Sequence, residues 1–490
     1  MKLKNMPTEM CRIKVSELQR RLAVKATDKR EHRFNNLYDL LTWEPLMSYC
    51  FDRLMTNAGS RTAGIDGMDK TMAKRNKKEI IANLRIDLKK GSYKHQPVRR
   101  VYIPKNNGKK RPLGIPTLTD RLVQMMVKTI LEPIFESDFH QVSHGFRPKR
   151  SCHTAMAHLH TATAPEKKKM FWTIEGDISG YFDHIGHKIL IRLLKRRIRD
   201  KKLLGIIWQM LHAGIMEGAL FARTTEGTTQ GGVASPLLAN VYLHELDEWF
   251  HKNYTGGLGR NEKVRRRYHK MGNAFYVRYA DDFVVAWNGP RKEAERLKEK
   301  IATFLKEYLR LELSEEKTHI THVTKGYDFL GFTIRRYYNK SRGRSDLIIR
   351  PSKKNVMSLK AKIKALTKQD TVGANPKDKI VAINCLLRGW ANYYRHQASS
   401  RTFGYVSHYA FKRMETWLRK KTGRRKRAIY RHYYQKHDGC STWVSEDTAL
   451  FNPGQYIRIE RIRYRYQPNP YLNPRNEIKL SYHLKPLPAR

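Results

Sequence analysis

Cysteine is scarce in this chain of 490 residues: Cys11, Cys50, Cys152, Cys385 and Cys440 are scattered, odd in number and never paired as CxxC. That spacing excludes a disulfide framework and a zinc knuckle and fits a reducing compartment. Long apolar runs are missing too. No stretch of about 18 apolar residues could span a bilayer, and the opening MKLKNMPTEMCRIKVSELQRRLAVK has no apolar segment of the secretory kind, so a cytoplasmic protein with no membrane partner is expected. No internal repeat of useful period is found. Acidic residues are few: 45 Asp plus Glu stand against 97 Lys plus Arg, a net charge of +52. A surface so cationic repels itself unless a polyanion neutralises it, which points to nucleic acid.

Apolar content of 40%, with 26 tyrosines, is ample for a core and excludes global disorder. Residues 1–95 read as mostly helical, with Leu37, Leu40, Leu41, Leu46 and Met47 at helical spacing and Pro45 starting or interrupting a helix. The period then changes. VRRVYIPKNNGKKRPLGIP (98–116) alternates apolar and basic residues about Asn107-Gly108, which predicts a basic β-hairpin. A buried helix over 120–135, a strand FWTIEG leading into Asp177 and a helix at about 187–199 follow. Ser235-Pro236 reads as N-cap and first turn of another helix, and 253–273 as a basic inserted loop. FYVRYADDFVVAW (275–287) reads as two strands about a tight acidic turn, followed by a helix over 291–310 and the strand THITHV. These elements predict an α+β fold with an α/β unit over 96–350, which the resemblance given below divides into fingers and palm. Amphipathic helices over 351–398, a basic region over 399–450 and a tail over 451–490 complete the expected organisation.

Asp281 and Asp282 lie in that turn, where adjacent like charges repel. Two divalent cations would relieve the repulsion and activate a 3′-hydroxyl for attack on phosphate. The third carboxylate such chemistry needs is available at Asp177, at the end of a different strand. After it, in DISGYFDH, backbone N–H groups beginning at Ile178 could hold triphosphate oxygens, and Phe182 could stack beneath a sugar and exclude a 2′-hydroxyl; core packing is the alternative for Phe182 and the better reading for Tyr181. Between 401 and 437 there are 12 Lys or Arg and one Glu, interleaved with Tyr405, Tyr409, Phe411, Trp417, Tyr430, Tyr433 and Tyr434. Cationic groove and stacking platforms together suit nucleic acid. His153, His158 and His160 lack a nearby Cys or carboxylate and read as structural.

The ordered motifs AGIDGMD, VYIPKNNGKKRPLGIP, ILEPIFESDFHQVSHGFRPKRSCHTA, EGDISGYFDHI, TTQGGVASPLLANVYLHELD, YVRYADDFVV, LSEEKTHI, YDFLGF and LLRGWANYYRH resemble those of group II intron-encoded reverse transcriptases and maturases over roughly residues 37–440. The resemblance implies a right-hand polymerase with fingers, palm, α-helical thumb (351–398) and basic DNA-binding region (399–450). It implies two Mg²⁺ ions, or Mn²⁺ in their place, on Asp177, Asp281 and Asp282. Lys105 and Arg111 would clamp the incoming deoxynucleotide, although either could be a solvated hairpin charge. Gln230 before Gly231 would approach nucleotide and template, Phe182 would be the steric gate, and Lys317 the general acid for pyrophosphate departure or a helix-end lysine. Arg147, Lys149 and Arg150 would hold template backbone, and Arg424, Arg425, Lys426 and Arg427 would bind DNA. Trp390, Tyr393 and Tyr394 pack thumb helices on this reading. The implied partners are intron RNA, target DNA, primer and deoxynucleotides. The implied activities are RNA-templated DNA synthesis by target priming and assistance to splicing. The segment after 451 has no cysteine pair and only His483 as a histidine, so a member without the family's HNH-type endonuclease is expected. The rival readings are a splicing-only RNA-binding protein and a domesticated enzyme of defence or repair.

Overall fold

A computed structural model of the chain describes residues 8–104, 108, 110–165, 169–217, 220–222, 226–228, 231–256, 259–269, 271–459, 464, 466 and 468–472. Lys105 and Gln230 lie outside these, as does most of the tail expected after 451.

Four helices open the chain: α1 (Thr8–Asp28), α2 (Glu44–Thr56), α3 (Lys70–Arg75) and α4 (Lys77–Lys90). Pro45 sits in the first turn of α2, where its missing N–H costs nothing. Asp69 caps α3 by accepting from the N–H groups of Thr71 and Met72. These helices close over α5 (Leu118–Glu136), which is buried nearly all round because it runs through the core, with Leu122, Met126, Ile130 and Ile134 fully buried.

The basic hairpin forms as predicted, β1 (Val98–Pro104) pairing antiparallel with β2 (Lys110–Ile115). It extends into a four-stranded sheet through β4 (Ile215–Glu217) and β5 (Leu220–Ala222). A second four-stranded sheet, in the order β6-β7-β3-β8, is built from β3 (Trp172–Gly176), β6 (Ala274–Tyr279), β7 (Asp282–Trp287) and β8 (His319–His322). Strand β3 is antiparallel to both β7 and β8, so α11 (Arg291–Leu309) makes the crossover between two parallel strands. Helices on both faces explain the unbroken apolar run FVVAW. Phe283 and Val285 face the cluster that contains α5 and α9 (Ser235–Phe250), while Val284 faces the cluster of α6 (Cys152–Thr163) and the C-terminal helices.

Helices α7 (His187–Leu194) and α8 (Lys201–Leu211) flank this unit, and α7 ends five residues earlier than the sequence predicts, because Ile198 leaves the helix to bridge Phe34. Two other expectations need correction. Ala234 is the N-cap of α9, so Ser235 is already the first helical residue. The supposed inserted loop contains a π-turn (His251–Thr255) and α10 (Arg260–Tyr268), whose charged sequence hides a helix that buries no apolar stripe of its own.

After a sheet of β9 (Tyr327–Phe329), β10 (Phe332–Asn339) and β11 (Arg344–Pro351) come α12 (Lys353–Leu366), α13 (Pro376–Tyr394) and α14 (Ser400–Thr422). Then follow α15 (Lys426–Tyr433), the strands β12 (Tyr434–His437), β13 (Cys440–Ser445) and β14 (Thr448–Ala449), and α16 (Pro453–Tyr456). One apolar cluster runs from α12 through α14 to Trp443 without a gap at 398, where the sequence suggests a break between thumb and basic region. The aromatic interleaving of 401–437 is for the most part core. Trp417 is fully buried and its indole N–H donates to Thr371 Oγ1 at 3.1 Å, while Phe411, Tyr430 and Tyr434 pack around Trp443. Tyr405 alone of that set is half exposed, its ring beneath the Lys360 ammonium. Trp390, Tyr393 and Tyr394 pack within the helices as expected.

Candidate active site

The register of the central sheet brings three carboxylates together. Gly176 at the end of β3 pairs with Phe283 of β7, so Asp177, the next residue, emerges beside the turn that holds Asp281 and Asp282. The Phe283 ring lies flat on Gly176; a Cβ there would stand 2.1 Å from it, which is why glycine precedes the aspartate. On the other flank of β3, the N–H of Ser314 donates to the Asp177 carbonyl at 2.8 Å, and the turn that follows delivers Lys317, whose Nζ donates to Asp177 Oδ2 at 2.6 Å. Lys317 keeps 64% of its side chain exposed.

The electrostatics are those of a site short of positive charge. Asp282 keeps an exposed side chain at the rim of the cleft, yet desolvation by its surroundings, then the charge of Asp281 and a hydrogen bond with Asp177, push it up to about 7. Burial and the Asp177 charge raise Asp281, against the pull of Arg111 and Lys317. The hydrogen bond to Asp177, aided by the two other carboxylates, raises Lys317. Two crowded carboxylates whose charged forms are disfavoured make a ready site for a cation, and three oxygen-donor groups suit a hard divalent ion. The residues therefore fit the metal that the chemistry requires.

Neighbouring segments complete the cleft. Ile178 is buried and bridges Leu313, and the N–H of Ser179 donates to the Glu312 carbonyl at 2.9 Å, which removes that donor from the expected phosphate cradle. Phe182 is half-buried, edge-on to Phe146 and to Tyr181, whose buried hydroxyl donates to the Ala239 carbonyl. Thr228 donates its N–H to the Phe182 carbonyl at 2.7 Å and so docks here. Gly231, at φ +113°, passes close to the Gly114 carbonyl of β2, where a Cβ would stand 2.8 Å from that oxygen. Arg111 of the same strand is exposed.

Two of the three basic residues expected to hold template do something else. Arg147 is buried, forks onto Glu136 with Nε at 3.0 Å and Nη2 at 2.7 Å, and donates to the carbonyls of His140 and Ser143. Arg150 has 3% of its side chain exposed and bonds Gln141. Neither guanidinium is available to a phosphate, and only Lys149 of the trio is exposed. Their loop instead buttresses the acidic turn: the N–H of His144 donates to the Arg278 carbonyl at 2.9 Å, and Ser143 bridges Arg278. Arg424, Arg425, Lys426 and Arg427 are exposed, although Lys426 stands 3.5 Å from Glu415. The histidines read as structural do not converge: His153 meets the Tyr393 carbonyl, while His158 meets His144 and stacks on Tyr464.

Arg278 is the positioning residue that motif reading misses. Three residues before Asp281, its fully buried guanidinium donates to both oxygens of Asp247, to Asn240 Oδ1 at 3.0 Å, to Ser143 Oγ at 2.9 Å and to the Ala280 carbonyl at 2.9 Å. The burial of a charge in the apolar run YVRYADDFVV was the available signal, since such a charge needs a partner.

The chain is similar to known proteins along most of its length. Residues 103–334 match the family model for reverse transcriptase (RNA-dependent DNA polymerase), and residues 356–434 that for the group II intron maturase-specific domain, which crosses position 398 as the core does. Protein YkfC of Escherichia coli strain K12 is 39% identical over 338 residues, covering 66% of this chain and 88% of that protein. The group II intron-encoded protein LtrA of Lactococcus lactis subsp. cremoris is 32% identical over 490 residues, covering 86% of this chain and 80% of its own.

Proposed function

For a chain that belongs to the group II intron-encoded reverse transcriptases and maturases, and is therefore an RNA-directed DNA polymerase with a maturase role, we propose that Asp177, Asp281 and Asp282 hold two Mg²⁺ ions at the polymerisation site. Reverse transcriptases use divalent ions; the oxygen-only donor set favours Mg²⁺, with Mn²⁺ as a substitute. The observation that carries this reading is the convergence of three carboxylates from two strand ends, two of them with raised pKa. The ions supply charge neutralisation at the reacting phosphate and lower the pKa of the primer hydroxyl.

The chain's own residues do the rest. The primer 3′-hydroxyl attacks the α-phosphate of a deoxynucleotide, a P–O bond forms, and pyrophosphate leaves. Lys317, exposed and held protonated by the carboxylates, donates the proton to the leaving group. Arg111, with Lys105 and Gln230 outside the described residues, would bind the triphosphate from the hairpin side, a planar fork beside a point charge. Phe182 would lie beneath the sugar and exclude a 2′-hydroxyl.

The hairpin sheet then serves as fingers, the central sheet as palm and α12–α14 as thumb. Splicing assistance is a matter of binding energy: a cationic surface that binds folded intron RNA better than unfolded RNA stabilises the fold in which the RNA cuts itself. Arg424, Arg425 and Arg427 would meet target DNA, in the cytoplasm.

Extension of a DNA primer on an RNA template, with Mg²⁺ and deoxynucleotides, tests the reading. Wild type should synthesise and the Asp281→Asn, Asp282→Asn double variant should not, while both bind intron RNA alike. Equal synthesis by the two would overturn the assignment.

A further inference from the structure

Helix α9 ends in the π-turn His251–Thr255. His244, Glu248 and His251 follow one another at spacings of four and three, which stacks them on one face of the turn. The connection after α5 brings a third imidazole, His140, against that face. His140 Nε2 lies 2.9 Å from Glu248 Oε1, and His244 Nε2 lies 3.4 Å from the same oxygen. One ligand atom each from His140, His244 and Glu248 fall within 4.8 Å of one another. Bonds of about 2.0–2.2 Å from nitrogen and carboxylate oxygen to a tetrahedral ion put neighbouring ligand atoms about 3.3–3.5 Å apart, so these three side chains already stand near ligand spacing.

Two further observations separate this cluster from an ordinary surface ion pair. His244 makes no hydrogen bond that would explain its burial. Its buried Nδ1 has no partner, and its Nε2 reaches only the Glu248 oxygen at 3.4 Å. A buried ring nitrogen left unsatisfied, on a side chain only 16% exposed, calls for a missing ligand. His251, in turn, holds the His140 ring in place. Its ring stacks on His140 at 4.5 Å between centroids, and it occupies the space a side chain at Gly256 would need, since a Cβ there would stand 1.6 Å from its Cε1.

We propose that His140, His244 and Glu248, with a water in the fourth position, bind one divalent transition-metal ion of the zinc class. Imidazole nitrogens favour such an ion over Mg²⁺, which distinguishes the site from the oxygen-only cleft. The ion is a structural clip. It ties the connection after α5 to the end of α9, one residue from Asp247, the partner of Arg278 beneath the acidic turn.

Co²⁺ reports such a site by the visible absorption of its d–d bands. The full chain should carry Asp281→Asn and Asp282→Asn, so that the cleft contributes nothing, and be stripped with a chelator before titration. One equivalent of Co²⁺ should bind with tetrahedral intensity and be displaced by Zn²⁺, and Zn²⁺ should raise the melting temperature. His244→Ala should weaken Zn²⁺ binding by about tenfold or more, as measured against a chromophoric chelator. His140→Gln, on the loop side, gives the same reading should His244→Ala fail to fold. Absence of a tetrahedral Co²⁺ band in the background protein, or equal affinity in a folded His140→Gln variant, would overturn the proposal.

Discussion

The turn that carries Asp281 and Asp282 and the loop that carries Arg147 and Arg150 are both charged, both motif-bearing, and packed against each other through Ser143 and Arg278. They differ in where their charges find partners. The loop's guanidiniums are matched inside the chain, Arg147 by Glu136 and two carbonyls, Arg150 by Gln141. The carboxylates of the turn meet one another and Asp177, with the charges of exposed Arg111 and Lys317 too little to offset the crowding, and their protons are held more tightly as a result. A charge the fold satisfies is structure; a charge the fold leaves in surplus waits for a ligand. Motif membership alone does not tell the two apart.

Removing a satisfied charge should have the largest effect on stability. Arg147→Met leaves Glu136 buried without its partner and should cost about 3–5 kcal/mol in urea unfolding. The salt dependence of RNA binding by the folded fraction should not change. A shallower salt slope would return Arg147 to the interface.

The two regions should also answer pH in opposite directions. Burial, with help from the Arg150 charge, takes His158 down to about 4, and burial lowers His144 as well. A depressed histidine means that the folded state binds fewer protons than the unfolded one. Stability from this region is therefore full above the ordinary value of 6.5 and is lost as pH falls toward 4. His158→Phe, which keeps a ring against Tyr464, should remove part of that loss, up to about 3 kcal/mol at pH 4. Asp282 has the other sign. Its raised pKa means that stability present below the ordinary 3.8 is lost as pH rises through about 7, and a divalent ion should restore it. A metal-free melting curve that is flat between pH 5 and 8 would remove the repulsion from the account.

Smaller effects are expected at the rim. Phe182→Ala should raise the relative use of ribonucleotides by about 10- to 100-fold, measured as a ratio of kcat/KM values. An unchanged ratio would make Phe182 a packing residue only. Reversing Arg424, Arg425 and Arg427 should flatten the salt slope of DNA binding by about 0.9 for each phosphate left unneutralised, with Lys426 adding less because Glu415 already faces it.

The legible parts of the sequence are those governed by local pattern. Strand alternation and an Asn-Gly turn foretell the basic hairpin, and apolar runs flanking Asp281 foretell a turn that the sheet register then sets beside Asp177. Partners distant in sequence are illegible. Nothing in FRPKR announces Glu136, eleven residues earlier on α5, and nothing in HELDEWFH announces His140, more than a hundred residues away. The aromatic run after 400 carries a pattern of its own that outranks its charge. Phe403, Val406, Ala410, Met414 and Trp417 recur at helical spacing, which marks a buried stripe before it marks a stacking platform.

The central claim is that the carboxylates of the acidic turn are in surplus, and the unfolding free energy of metal-free Asp282→Asn at pH 8 tests it most directly. The account predicts a protein at least as stable as wild type that has lost DNA synthesis, because the substitution removes a repulsion the fold tolerates for the sake of a ligand. A clearly less stable variant would show that Asp282 is held by partners inside the chain, and the distinction between the two regions would fail.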